Sequence, residues 1–239
     1  MELIKKITLV VLLFQLYACT SEDDNGGIEN PTDPNTVFNL FPSDYLTEGY
    51  SETYVLSGQE ELTGDTFTGS FTLQTQVQDL FNSESAVPMY KELEITNSST
   101  GGTSTKSGVD YYSTNYTNIN YLGYSGILHF SGISSTQITE SASTTMLPIT
   151  GKIGDSGVIG TYVDSYDDTK SLTWSIHDAG NGNAKLKIVT TTSPNQLGTV
   201  LLIEEETYTI NPDGVRLSIV IRIEYTYSGI TINLNGNNT

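Results

Sequence analysis

The sequence predicts an all-β protein, folded as an antiparallel β-sandwich or a meandering β-barrel of about ten strands. Several segments alternate between apolar and polar residues, which is the period of a half-buried strand. Short turns rich in Asn, Asp, Gly and Pro separate these segments. No long stretch has the 3.6-residue apolar period of a helix. Of the two architectures, we favour the sandwich.

The first half of the predicted domain contributes four strands, near 51–57, 66–79, 89–97 and 125–133. The second of these is the clearest, because Phe67, Phe71 and Leu73 share one face and polar residues fill the other. The Ser/Thr/Gly-rich segment 98–108 is predicted to be a flexible loop, and 134–145 is a second Ser/Thr-rich stretch.

The second half is predicted to be a meander of six sequential antiparallel strands. They are expected at 157–163, 171–177, 184–192, 199–210, 215–227 and 230–235. The turn Asn211-Pro212-Asp213-Gly214 has a clear mechanism, since Pro presets the first corner and Gly accepts a left-handed backbone. In the strand that follows, Leu217 and Ile219 are predicted to begin the apolar face, and Arg216 the polar face.

The N-terminal residues have the order of a secretory signal. Lys5 and Lys6 precede an apolar run from Ile7 to Leu16, which is too short to span a membrane. The run ends in Leu16-Tyr17-Ala18-Cys19, and Cys19 is the chain's one cysteine. An ordinary signal peptide would leave that cysteine as a stray thiol in an oxidising compartment.

This N-terminus resembles a bacterial lipoprotein signal with its lipobox. The resemblance implies cleavage before Cys19 and attachment of a diacylglycerol to the thiol. The following Ser21-Glu22-Asp23-Asp24 is similar to the acidic export tether of Bacteroidetes lipoproteins, which implies a lipid anchor in the outer membrane facing the cell exterior. Alternatively, the acidic run only keeps a tether extended. We therefore predict a signal peptide at 1–18, a lipidated tether at 19–38 and one domain at 39–239.

The chain is strongly acidic, with 28 acidic and 10 basic residues. Residues 1–18 hold one acidic and two basic residues, so 27 acidic and 8 basic residues remain after their removal, a formal charge of −19. A field of this sign repels phosphates, so we exclude nucleic acid as a partner. The acidity itself is typical of a surface kept soluble by repulsion.

Residues 147–235 resemble the lipocalin-like domains found in Bacteroidetes lipoproteins. That group begins with a Gly-x-Trp strand, where this chain has Gly160-Thr161-Tyr162. The resemblance implies a lipocalin-like barrel as the alternative architecture, and a carrier of a small apolar ligand as the alternative function.

The segment 111–124 is the best candidate for binding, because tyrosine rings and asparagine amides suit sugar rings and protein surfaces alike. Its alternative role is structural, with the rings turned into the core. The candidate ligand-binding residues are Tyr111, Tyr112, Tyr116, Tyr121, Tyr124, Asn115, Asn118 and Asn120.

The sequence predicts no catalytic residues, no metal site and no cofactor. His129 and His177 are the only histidines, and neither has a second ligand at metal-binding spacing. The run Asp178-x-x-Asn181-x-Asn183 lacks the pattern of a calcium loop. Glu204 and Glu206 share a strand face without a visible acid and base, so we interpret the run 204–206 as a charged strand edge. The hypothesis is a non-catalytic surface lipoprotein that binds a glycan or a surface protein; a carboxylate-based hydrolase is a further alternative.

Overall fold

The computed structural model describes residues 30–113, 119–130, 133–194 and 199–239. All named secondary-structure elements in these residues are β-strands. In chain order the strands are β1 (Phe38–Asn39), β2 (Ser51–Glu60), β3 (Thr66–Thr75), β4 (Asp79–Phe81), β5 (Glu84–Asn97), β6 (Thr103–Ser113), β7 (Tyr121–Phe130), β8 (Ile133–Thr144), β9 (Thr150–Gly151), β10 (Ser156–Asp164), β11 (Asp168–Gly180), β12 (Asn183–Pro194), β13 (Leu202–Ile210), β14 (Arg216–Tyr225) and β15 (Ile230–Asn238).

Twelve of these strands close into one antiparallel barrel. From β2 onward each long strand pairs with the next along the chain, and the last strand, β15, pairs with β2. The short β4 pairs only with β5, while β1 and β9 form a separate two-stranded sheet. The all-β antiparallel prediction is therefore confirmed. Of the two architectures the chain forms the barrel rather than the favoured sandwich, with twelve strands in the ring.

The predicted six-strand meander of the second half is confirmed, because β10 to β15 are neighbours in sequence order. The turn between β13 and β14 forms as expected. Gly214 has a φ of +82°, and the side-chain oxygen of Asn211 accepts hydrogen bonds from the backbone N–H groups of Asp213 and Val215. Asn181 and Gly182 between β11 and β12 both have positive φ, as a tight hairpin turn requires.

The prediction of a flexible loop at 98–108 is wrong beyond residue 102, and the Ser/Thr-rich stretch at 134–145 is also a strand. They form most of β6 and β8, which pair with their neighbours along their lengths. Three successive inward positions of β6 hold Lys106, Gly108 and Asp110, and only Tyr112 near its end is aromatic and buried in the core. A strand whose inward face is charged or small has no apolar alternation, so its period cannot be read from hydrophobicity.

A β-bulge reverses the predicted faces at the start of β14. Ile210 lies opposite Arg216 and Thr209 lies opposite Ser218, so Leu217 is an extra residue in its strand. The Leu217 side chain is consequently 42% exposed, while Arg216 points inward and is fully buried. The prediction that Arg216 lies on the polar outer face is wrong for this reason.

Residues 30–50 close one end of the barrel, and we call them the plug. Phe38, Leu40, Phe41 and Tyr45 are buried there. At the N-terminal edge of the plug, the backbone N–H of Thr32 donates to both carboxylate oxygens of Asp178 at 3.3 Å. Residues 30–38, which are predicted to belong to the tether, thus pack against the barrel. The opposite end carries the β2–β3, β5–β6, β10–β11 and β14–β15 turns, and we call it the turn end.

Arg216 fastens the plug to the barrel wall. Its guanidinium carbon lies 4.5 Å from the centre of the Tyr45 ring in the plug and 4.0 Å from that of Tyr208 on β13. A guanidinium in such positions gains cation–π attraction from each ring. Its Nη1 also lies 3.4 Å from the carboxylate of Glu52, which accepts a hydrogen bond from the Tyr54 hydroxyl at 2.8 Å.

Replacing Arg216 with methionine should destabilise the protein strongly. Arg216→Met leaves the Glu52 carboxylate buried without its cation and removes the contact with Tyr45, so we expect a loss on the order of 3 kcal/mol in the free energy of unfolding. The matched control is Arg222→Met on the same strand, whose ion pair with Glu224 is partly exposed; its cost should stay below about 1 kcal/mol. Urea unfolding of both variants measures the difference, and equal losses would contradict the role of Arg216.

Candidate ligand-binding cavity

A cavity of about 120 Å³ lies inside the barrel, between the plug and the turn end. This is about the volume that four water molecules share in the liquid. Toward the turn end, the inward side chains are only partly buried, unlike those at the plug. They are Phe67, Ile95, Leu202, Tyr225 and Ile232. The cavity therefore approaches solvent at the turn end, and only a small ligand or the end of a larger one fits inside.

Six charged side chains that point inward, three basic and three acidic, line this cavity, and we call them the charged cluster. They are Lys91 on β5, Lys106 and Asp110 on β6, Lys170 on β11, and Glu204 and Glu206 on β13. Each is directed inward by strand alternation. On β13, for example, Glu204 and Glu206 share the inward face with the buried Tyr208.

The members of the cluster make close ion pairs and hydrogen bonds. The Lys91 ammonium lies 3.0 Å from Asp110 and 3.2 Å from Glu206, and Lys106 pairs directly with Glu204. The two carboxylates around Lys91 also accept hydrogen bonds from tyrosine hydroxyls. Tyr121 donates to Asp110 at 2.9 Å, and Tyr208 donates to Glu206 at 2.6 Å. Hydrogen bonds of this kind, with a charged partner, are stronger than neutral ones.

These ion pairs cross the interior of the barrel. β6 and β13 stand six places apart in either direction around the ring of twelve, yet Lys106 on one reaches Glu204 on the other. Lys91 on β5 likewise reaches Glu206 on β13. The charged cluster therefore bridges opposite walls of the barrel.

The pairing sets the protonation states of the cluster. Burial alone would raise the pKa of the Glu204 and Glu206 carboxyls, but the ammonium groups of Lys106 and Lys91 hold each pKa below its ordinary value. Burial would likewise lower the pKa of Lys91, and the carboxylates of Asp110 and Glu206 raise it instead. The pKa of Lys170 is lowered, first by burial and then by the charge of Lys106.

The Tyr124 ring forms one wall of the cavity and fits over two glycines. A Cβ atom at Gly108 would lie 2.2 Å from the Tyr124 hydroxyl, and one at Gly126 would lie 1.9 Å from it. The hydroxyl donates to the backbone oxygen of Ser107 at 3.2 Å. The two glycines thus let the ring lie against the strands instead of filling the cavity.

The structure separates the candidate residues of segment 111–124. Tyr121 and Tyr124 line the cavity, and Tyr112 is buried beside them, with its ring centre 5.6 Å from that of Tyr121. Tyr111 lies on the outer face, stacked on Phe81 at 4.4 Å. At half-buried Asn120, the backbone oxygen accepts a hydrogen bond from the N–H of Ser113. Asn115, Tyr116, Asn118 and the lipidation candidate Cys19 lie outside the described residues.

Sequence reasoning missed the charged cluster. The interpretation of 204–206 as a charged strand edge is wrong, because β13 is paired on both sides, by β12 and β14. A signal was available in the scarcity of basic residues. Of the eight that follow residue 18, four point into the barrel, namely Lys91, Lys106, Lys170 and Arg216. Spacings such as Lys106-x-Gly108-x-Asp110 also place unlike residues on one strand face.

His177 and Asp178, also weighed from the sequence, lie away from the cavity. His177 is exposed on the outer face, and its Nε2 lies 2.9 Å from the Ser175 hydroxyl. Asp178 accepts hydrogen bonds from the backbone N–H groups of Gly180 and Thr32, and the bond from Gly180 contributes most to lowering the pKa of its carboxyl. In the described ranges, no group of three or more His, Cys, Asp or Glu residues is arranged to hold a metal ion. The described part of the chain also contains no helix long and apolar enough to cross a membrane.

Comparisons of this chain with protein-family models, with curated proteins and with solved structures found no match.

Acid should unfold the protein partly through the charged cluster. Glu206 has a lowered pKa, so its stabilising effect is complete above the unfolded value of about 4.3 and is lost as the pH falls through the lower folded value. Glu206→Gln should therefore cost about 2 kcal/mol at pH 7 and progressively less between about pH 5 and 3. Urea unfolding across this range, with outward-facing Glu205→Gln as control, measures the effect; a cost that does not change with pH would contradict it.

Proposed function

We propose that this protein is a lipid-anchored, non-catalytic binding protein on the outer face of the outer membrane, and that its barrel holds a small polar ligand or the polar end of a glycan. The observation that carries the proposal is the charged cluster around the cavity. Ammonium, carboxylate and tyrosine groups fixed in a partly desolvated space are strong and directional partners for polar ligands.

The chemistry of the cavity favours a polar ligand over an apolar one. An apolar molecule would strip water from the charged cluster and return no hydrogen bonds, which is costly. The volume of about 120 Å³ is also well below the roughly 300–1,000 Å³ typical of pockets that enclose a drug-sized ligand.

The same groups favour binding over hydrolysis. A pair of glycosidase carboxyls needs one member kept protonated by a raised pKa. Glu204 and Glu206 share a face but both have lowered pKa values, so both are ionised at neutral pH. We therefore assign these carboxylates to hydrogen bonding with the ligand.

The proposed location in the cell rests on the N-terminal sequence. Cys19→Ser should abolish labelling of the protein by radioactive palmitate in a Bacteroidetes host and release it from the membrane fraction, because no acyl chains then hold it. Replacing Glu22, Asp23 and Asp24 with their amides should keep the palmitate label. The protein should then no longer be exposed on the cell surface, so protease added to intact cells should not digest it. Undiminished labelling of the Cys19→Ser variant would contradict the anchor, and unchanged digestion of the amide variant would contradict the tether's role in export.

Binding should be detectable through the single tryptophan. Trp174 points inward on β11, on the same face as the cavity-lining Leu172, so a ligand should change its fluorescence. We expect small sugars, hydroxy acids or amino acids to bind and an apolar fluorescent dye not to bind. Thr190→Phe should fill the cavity and reduce the affinity at least tenfold, whereas Thr191→Phe, on the outer face of the same strand, should not.

Circular dichroism of both phenylalanine variants controls for folding. Equal binding by Thr190→Phe and the unaltered protein would place the ligand elsewhere. Binding of the dye in preference to all polar molecules would overturn the proposal in favour of an apolar carrier.

A further inference from the structure

Apolar side chains line one half of the barrel mouth at the turn end. Five strands contribute them, β5, β3, β15, β14 and β13, and together with β2 these strands are consecutive neighbours in the ring. At the mouth each of the five strands directs a partly buried apolar residue inward, and we call this set the apolar lip. Its members are Ile95, Phe67, Ile232, Tyr225 and Leu202.

The apolar lip is continuous with the wall of the cavity. Leu202 is the inward residue before Glu204 on β13, and Ile95 is the inward residue after Leu93 on β5. Glu204 and Leu93 both line the cavity. The Lys106 side chain, which pairs with Glu204 across the interior, remains 37% exposed. Solvent therefore reaches the charged cluster through the mouth that the lip borders.

The rim beside the lip is also apolar. Leu62 in the β2–β3 turn and Tyr227 in the β14–β15 turn are 72% and 74% exposed. The Tyr227 ring lies edge-on to that of Tyr225 in the lip, with the ring centres 6.4 Å apart. Apolar surface that remains in water at the entrance of a cavity is available for contact with a ligand.

The lip lies at the opposite end of the barrel from both ends of the described chain. Thr32 is held by Asp178 at the plug, and the backbone N–H of Thr239 donates to the oxygen of Thr53 at the plug-side start of β2. The proposed lipid anchor is therefore attached on the plug side, and the lip points away from it. This placement favours a dissolved ligand over the membrane as the partner of the lip.

We propose that the ligand is an amphiphile, whose polar group is bound by the charged cluster and whose apolar ring or short chain lies against the apolar lip. This inference rests on the proposed function and names the class of ligand. The cavity, of about 120 Å³, holds only a small group. The remainder of a larger ligand must then lie in the mouth, where burial of apolar atoms against the lip stabilises the complex.

The two surfaces select this class together. An entirely apolar ligand would strip water from Lys106 and Glu204 and return no hydrogen bonds. An entirely polar ligand would leave the lip in water and gain nothing from it. A polar group joined to an apolar one makes charge-assisted hydrogen bonds inside the barrel and buries apolar surface at its mouth.

Three matched pairs of water-soluble probes test whether the ligand is amphiphilic. Each pair joins a polar parent to a derivative with a phenyl ring: lactate and 3-phenyllactate, alanine and phenylalanine, and methyl and phenyl β-galactoside. Toluene supplies the ring without a polar group. Calorimetry follows each titration into the full-length lipidated protein in phospholipid nanodiscs, with empty nanodiscs as the blank. In at least one pair, we expect the phenyl derivative to bind at least tenfold more tightly than its parent and than toluene.

Variants of the lip test where the ring lies. The double variant Ile95→Thr and Ile232→Thr keeps β-branched side chains but makes the lip polar, so it should remove most of the advantage of the phenyl derivative. Its affinity for the polar parent should stay within about twofold. The matched control, Val55→Thr with Val220→Thr, changes exposed valines on the outer faces of β2 and β14 and should leave both affinities unchanged.

Circular dichroism verifies that the variants fold. If the double variant does not fold, Ile95→Thr and Ile232→Thr are titrated singly, and each should remove part of the advantage. The comparison of parents with phenyl derivatives on the unaltered protein decides the inference independently of any variant.

The inference and the proposed function fail in different ways. If no phenyl derivative binds more tightly than its parent, or if the lip variants keep the full advantage, the amphiphilic ligand is overturned while a polar ligand stands. Toluene binding as tightly as the phenyl derivatives would overturn both. If no probe binds, the amphiphilic ligand is overturned, and the wider panel and the Thr190→Phe variant decide the proposed function.

The membrane is tested as the other partner of the lip. Sedimentation with phospholipid vesicles is measured for the Cys19→Ser protein, with and without the two lip substitutions. We expect the lip substitutions to leave sedimentation unchanged. If they reduce it and change no probe affinity, the lip is a membrane contact and the amphiphilic ligand is overturned.

Discussion

Closing twelve strands into one ring is the constraint on which the rest of this structure depends. A barrel of about eight strands is just wide enough for its own side chains to fill, and a wider ring leaves more interior than short apolar side chains can occupy. This chain fills its ring in two ways. The plug inserts Phe38, Leu40 and Phe41 into one end, and farther along, long charged side chains bridge opposite walls of the barrel.

Filling a barrel with charges has a consequence for function. A buried ion pair costs desolvation energy that its attraction barely offsets, and apolar residues of similar volume often give equal or greater stability. Stability alone therefore does not explain why a chain with so few basic residues places Lys91, Lys106 and Lys170 inside. A cavity lined with fixed charges can, however, hold a polar molecule with little reorganisation, and this favours recognition as their role.

The sequence predicts strands well where the inward residues are apolar. Phe67, Phe71 and Leu73 on β3 do face the core as expected. It fails at β6, where Lys106 and Asp110 occupy inward positions, since an inward lysine and an outward one look alike in a single sequence. The candidate site lies where hydrophobic alternation stops, so the method that finds the strands cannot find the cavity. Tyr121 and Tyr124 are among the predicted binding residues because aromatic residues are recognisable without alternation, and both line the cavity.

The choice between sandwich and barrel depends on one long-range pairing that local sequence does not encode. A meander of antiparallel strands can fold into two facing sheets or continue around until its ends meet. Here β15 pairs with β2 over seven residue pairs, from Ile232 with Glu60 to Asn238 with Tyr54. In the closed barrel, Lys106 and Glu204 form an ion pair between opposite walls, and these walls face each other as the two sheets of a sandwich would. Closure therefore supplies the enclosed space, and the ion pairs between facing walls place opposite charges together at the cavity.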